Sequence, residues 1–112
     1  MQLIEIVDEG DVLILKIAKD RLDASVAEKF KEEIAGHVKK GNSRIVLDMS
    51  DVGFMDSSGL GSIIMCLKQL DRKGEMVLYG ITDMVDKLFK LTRVHKVVRI
   101  FQTREEAVAA LS

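Results

Sequence analysis

The order in which apolar runs and amphipathic segments follow one another is what constrains this chain most. Leu3 to Val7 alternates loosely between apolar and polar residues, and Val12 to Ala18 (VLILKIA) is a denser apolar run. Glu9-Gly10-Asp11 lies between them as a turn signal, so the two runs read as a hairpin. Helical and strand patterns then alternate. Ala27, Phe30, Ile34 and Val38 recur at helical spacing, with Glu28, Lys29, Lys31, Glu32 and Glu33 on the opposite face. Asp23 is placed to cap that helix, and Gly41-Asn42 to end it. Arg44 to Met49 is a short apolar strand. Leu60, Ile63, Ile64, Leu67 and Leu70 mark a second helix that closes at Lys73-Gly74, and Met76 to Tyr79 is again strand-like. Val85, Leu88 and Phe89 mark a third helix, Val97 to Phe101 a last strand, and Glu105 to Leu111 a terminal helix.

Such alternation calls for strands running in parallel with right-handed crossovers, while the opening hairpin adds an antiparallel edge. The expected fold is α/β: a small mixed, mostly parallel sheet of about five strands with about four helices, not divided evenly between its faces.

The chain has 112 residues and no proline, and shows no linker or low-complexity stretch, so it reads as one domain over residues 1–112. The 17 basic and 18 acidic residues leave a net charge of −1, and no basic stripe is interleaved with aromatics. Direct contact with nucleic acid is therefore not expected. A single cysteine, Cys66, rules out an intrachain disulfide, and His37 and His95 have no companion ligand motif, so neither a metal nor another cofactor is expected. Met1 to Asp11 carries acids where a signal peptide carries bases, and no apolar run reaches the length of a membrane span. These features predict a cytoplasmic protein with no membrane insertion.

The stretch that carries chemistry is Ile45 to Leu70. A buried strand leads through a loop to Asp56-Ser57-Ser58-Gly59, which opens an amphipathic helix. Asp56 is positioned to accept hydrogen bonds from unpaired amides at the helix start. Ser57 then falls at about the first helical position, near the positive end of the helix dipole. A phosphate there is partly compensated by the dipole, so it changes the surface without unfolding the helix. The same four residues also make an ordinary helix cap, the commoner use of such a sequence, and the residues alone leave both readings open.

The string Phe54-Met-Asp-Ser-Ser-Gly-Leu-Gly61, following Ile45-Val-Leu-Asp48, resembles the phosphorylation segment of the bacterial anti-sigma-factor antagonists, small proteins of the STAS family. Leu22-Asp23, Gly74-Glu75-Met76, Lys87 to Thr92 and Thr103 to Leu111 resemble further parts of that family's pattern. The resemblance implies the STAS fold and a regulatory binding protein, not an enzyme. It also implies phosphorylation of Ser57, the serine after the aspartate. The implied partners are an anti-sigma factor that is a serine kinase and a serine phosphatase that reverses the modification. The unphosphorylated form would bind the kinase and free the sigma factor. Two departures stand out: Lys19-Asp20-Arg21 replaces the usual glycine before Leu-Asp, and Arg93-Val94-His95 replaces a Gly-Leu turn. Related outputs are a switch controlling a non-sigma process such as biofilm formation, or an accessory subunit of a lipid transporter.

Around Ser57 the expected partner face comprises Asp23, Asp56, Ser58, Gly61, Ser62 and Met65. Asp23 should lie near Asp56, because both helix starts fall at one edge of a parallel sheet. Gly61, Ser62 and Met65 take the side of the second helix opposite Leu60, Ile63, Ile64 and Leu67, where an exposed Met suits an adaptable interface. Cys66 reads as an inert, partly buried thiol. A Ser57 hydrolase lacks the G-x-S-x-G turn and an evident histidine partner.

Overall fold

The computed structural model describes residues 3–70 and 73–112. Strands β1 (Ile4–Glu9) and β2 (Leu13–Ile17) form the hairpin, followed by a two-residue strand β3 (Arg21–Leu22) and helix α1 (Ala27–Lys39). Then come β4 (Arg44–Asp48), a two-residue β5 (Phe54–Met55), α2 (Ser57–Leu70), β6 (Glu75–Tyr79) and α3 (Asp83–Leu91). A single 3-10 turn (Val94–Lys96), β7 (Ile100–Phe101) and α4 (Arg104–Leu111) complete the order. The main sheet runs β1-β2-β4-β6-β7. Its first pair is antiparallel and the others are parallel, which is the mixed α/β sheet that the alternation implied.

Strand alternation sorts the apolar side chains onto two faces. Leu13, Leu15 and Ile17 of β2 and Ile45 and Leu47 of β4 meet Phe30 and Ile34 of α1, Ile63 and Cys66 of α2, and Val85 and Phe89 of α3. Ile14, Val46 and Val77 turn the other way, where Ala107 and Leu111 of α4 cover them. Three helices therefore share one face and one takes the other. α4 starts from a full capping box: the Thr103 hydroxyl accepts from the Glu106 amide at 3.2 Å, and Glu106 accepts from the Thr103 amide.

The last strand is shorter than the apolar run Val97 to Phe101 suggested. Only Ile100 and Phe101 pair with β6, while Val97 follows the 3-10 turn and is 67% exposed. Val98 is buried without being in a strand, so the run is apolar because it packs, not because it pairs.

Candidate functional site

The site is built where β3 and β5 lie side by side, Arg21 opposite Phe54 and Leu22 opposite Met55. The Asp20 carbonyl accepts from the amides of both Gly53 (2.9 Å) and Phe54 (3.2 Å), which ties the two loops together. Each short strand runs straight toward a helix start. Runs of two residues carry no periodicity, which is why neither strand could be read from the sequence.

Asp56 joins the two starts. Its Oδ1 accepts from the Gly59 amide at 3.0 Å, capping α2, and its Oδ2 accepts from the Ala24 amide at 3.3 Å, on the way into α1. The approach is close: a Cβ built on Gly59 would collide with the Leu22 carbonyl. Gly59 is thus the contact point between α2 and β3.

Asp23 is near Asp56 through this strap, but it does not cap α1 directly. The residue before the helix is Val26, with no side-chain cap. Asp23 organises the preceding turn instead: its Oδ1 accepts from the Ser25 amide (3.0 Å) and hydroxyl (2.6 Å), and its carbonyl accepts from Val26 and Ala27. The Ser25 hydroxyl is the main cause holding the Asp23 carboxyl below its usual range, with Arg21 helping at 3.4 Å.

Ser57 and Ser58 are exposed in the first turn of α2. With Gly61, Ser62 and Met65 they form one wall of a groove of about 350 Å³, whose other wall is Ala24, Ala27, Glu28 and Lys31. Met65 is 46% exposed, and nothing lies within 4 Å of where a Gly61 Cβ would be. Ser62 departs from the expected exposed position. It is 2% exposed and its hydroxyl donates to the Gly59 carbonyl at 2.6 Å, so its polar atom is spent inside the helix. The reason is the packing of α1 against α2, which covers that side of the helix.

Two features escaped the sequence reading. Glu28 and Lys31, assigned there to a plain solvent face, line the groove and pair with each other at 3.0 Å. The Arg21 guanidinium sits over the Phe54 ring at 4.9 Å beside Asp23. The three-residue spacing of Glu28 and Lys31 signalled their pairing, but not which helix would face them. Cys66 is fully buried, and burial pushes its thiol up to about 12. His37 is half-buried near the end of α1.

His95 does not share this groove. Its Nδ1 lies 3.2 Å from the Phe89 carbonyl oxygen, in a wider depression of about 920 Å³ beside α3 and β7. Among the charges there, Lys90 pairs with Asp86 at 2.9 Å, and Arg99 with Glu75 at 3.1 Å. Among the described residues, no cluster of three or more His, Cys, Asp or Glu could hold a metal. No helix among them is long and apolar enough to cross a membrane.

Residues 4–107 match the family model for the STAS domain. The chain belongs to the STAS family. An anti-sigma-B factor antagonist from Listeria monocytogenes is 34% identical over 80 residues, covering 70% of this STAS chain and 70% of its own. The crystal structure of TM1081 from Thermotoga maritima superposes with a TM-score of 0.86 at 33% identity, over 96% of this chain and 92% of that one. The Bacillus cell fate determinant SpoIIAA, solved in a phosphorylated form, shares the fold with a TM-score of 0.70 at 22% identity, over 97% of each chain. This STAS protein is accordingly a regulatory binding protein and not an enzyme.

Proposed function

We propose that the chain is an anti-sigma-factor antagonist switched by phosphorylation of Ser57. In this reading the unphosphorylated protein binds an anti-sigma factor that is also a serine kinase, and so frees the sigma factor in the cytoplasm. Phosphorylation releases the kinase, and a serine phosphatase resets the switch. The observation that carries the proposal is the placement of Ser57: exposed in the first turn of α2, on a groove between two helices, beside a carboxylate already committed to two amides. The name of the Listeria relative and the existence of a phosphorylated SpoIIAA support the same reading.

A kinase must bring the γ-phosphate of ATP to the Ser57 hydroxyl, so the docked surface must include that serine. Ser58, Gly61 and Met65 line the groove with it, Asp56 precedes it and is tied through the Ala24 amide to the turn that holds Asp23, and these residues form the partner face; the buried Ser62 supports it from beneath. A phosphate on Ser57 would be buried against a site shaped for a neutral hydroxyl. Desolvating charge that a partner leaves uncompensated costs several kcal/mol, and about 1.4 kcal/mol is a factor of ten in affinity.

The test is calorimetric titration of the kinase with wild type, Ser57→Ala, Ser57→Asp and the true phosphoprotein. Ser57→Ala should bind as wild type does, the phosphoprotein at least ~100-fold more weakly, and Ser57→Asp in between. Equal affinity of the phosphorylated and unphosphorylated proteins would defeat the switch. Phosphate mapped chiefly to Ser58 would defeat the site.

A further inference from the structure

We infer that Lys31 is the internal counter-ion of a phosphate on Ser57, exchanging its present partner Glu28 for the phosphate when the serine is modified. The inference rests on the proposed modification of Ser57, and adds to it what the modified side chain binds. Lys31 stands on the second turn of α1 and lines the same groove as Ser57 and Ser58. Its side chain is only 30% exposed, whereas that of Glu28, 3.0 Å away, is 76% exposed. The lysine is thus laid against the groove while its carboxylate partner reaches out to solvent. Its charge is also close enough to α2 to oppose, as the smaller of two causes, the upward push of burial on the buried Cys66 thiol.

The charges around the groove leave Lys31 as the cation suited to the role. Glu28 and Lys31 come from α1, Arg21 from β3, Asp23 from the turn between them, and Asp56 from the start of α2. Arg21 is committed to Asp23 at 3.4 Å and to the Phe54 ring. The pair of Lys31 with Glu28 is a surface pair three residues apart on one helix, a weakly held class. A phosphate carries nearly two charges and three acceptor oxygens, so it outcompetes a single solvated carboxylate for the ammonium. Glu28 is then released at the rim. The modified protein would show a partner two anionic groups where the unmodified one shows a serine and a neutral pair.

The experiment uses full-length protein synthesised with phosphoserine at position 57, so that no kinase is needed. Phosphorus NMR titration of the phosphate is compared for wild type, Lys31→Met, Lys31→Arg and Lys29→Met, the last being an exposed lysine of the same helix that does not line the groove. A nearby cation favours the dianion and lowers its second pKa. Lys31→Met should therefore raise that pKa by about 0.5 unit or more, while Lys31→Arg and Lys29→Met stay near wild type. Cooperative melting of each unmodified variant verifies its fold. An unchanged titration in Lys31→Met, or an equal shift in Lys29→Met, overturns the inference. A kinase that leaves Ser57 unmodified would sink the proposed function instead, and would leave this titration unaffected.

Discussion

At the scale of single residues, Asp56 and the two glycines after it show what could be read and what could not. Asp56 was legible as a cap because Asp before Ser-Ser-Gly at a helix start has one evident use; its second bond, to Ala24, depends on a strand pair with no sequence signature. Asp56→Ala should lose both bonds and destabilise by about 1–2 kcal/mol in urea melts, whereas Asp56→Asn keeps a capping oxygen and should lose less. Gly59 and Gly61 look alike in the sequence, yet opposite outcomes are expected. Gly59→Ala drives a methyl into the Leu22 carbonyl and should cost about 1–3 kcal/mol or more. Gly61→Ala has open space and an ordinary helical backbone, and should stabilise by about 0.5–1 kcal/mol. Thermal melts of the two variants should shift in opposite directions. Ser62 was misplaced for a related reason: a small polar residue fits a helix crossing as well as it fits solvent.

At the scale of elements, what could be read was what is long enough to show a period. α1 and α2 satisfy that, each burying a helically spaced set of side chains, whereas β2 and β4 are legible as short apolar runs buried almost throughout. β3 and β5 are neither, and Val97-Val98 misled because apolar character alone does not distinguish a strand from a packed turn. Within the sheet, the neighbours β4 and β6 are also joined by a side-chain pair. Asp48 and Tyr79 stand opposite each other, and the Tyr79 hydroxyl donates to Asp48 Oδ2 at 3.0 Å while the Ser50 amide serves Oδ1 at 2.9 Å. Asp48 is 8% exposed, so Tyr79→Phe should strip a donor from a nearly buried carboxylate and cost about 1–3 kcal/mol near neutral pH. Burial, and then the bond to Asp48, raise the Tyr79 pKa above its ordinary 10.0. A phenol with a raised folded pKa contributes stability fully below its unfolded value and loses it as pH rises through the folded one. The stability gap between wild type and Tyr79→Phe, measured by urea unfolding, should therefore hold below pH 10 and narrow above it.

At the scale of the whole molecule, parallel topology gathers the site. β2 and β4 are parallel neighbours, so the chain leaves both at one edge of the sheet, and both helix starts that follow lie there. That is how Asp23 could be expected near Asp56 from the order of elements alone. The same layout separates the switch from the stability of the fold. Phe30, Ile34, Leu47, Ile63 and Phe89 are fully buried in the core, whereas Ser57 is exposed at its rim. Charge added at Ser57 meets the α2 start, where the Gly59 amide is already bonded to Asp56 and the Leu60 amide to the Asp56 carbonyl. The helix dipole favours a negative charge there by about 0.3–1 kcal/mol. Asp56, and at longer range Asp23, oppose it by a comparable amount that salt screens within about 8 Å at physiological strength, while the paired Glu28 and Lys31 add little net charge. The two contributions nearly cancel, and their difference stays below about 1 kcal/mol, which for a domain of this size moves the melting temperature by only a few degrees. Ser57→Asp should therefore unfold cooperatively and within a few degrees of wild type in scanning calorimetry, while Asp56→Ala melts distinctly lower. Loss of cooperative unfolding in Ser57→Asp would mean that charge at the rim reaches the core, and that the modification acts by loosening the fold instead of changing the surface a partner meets.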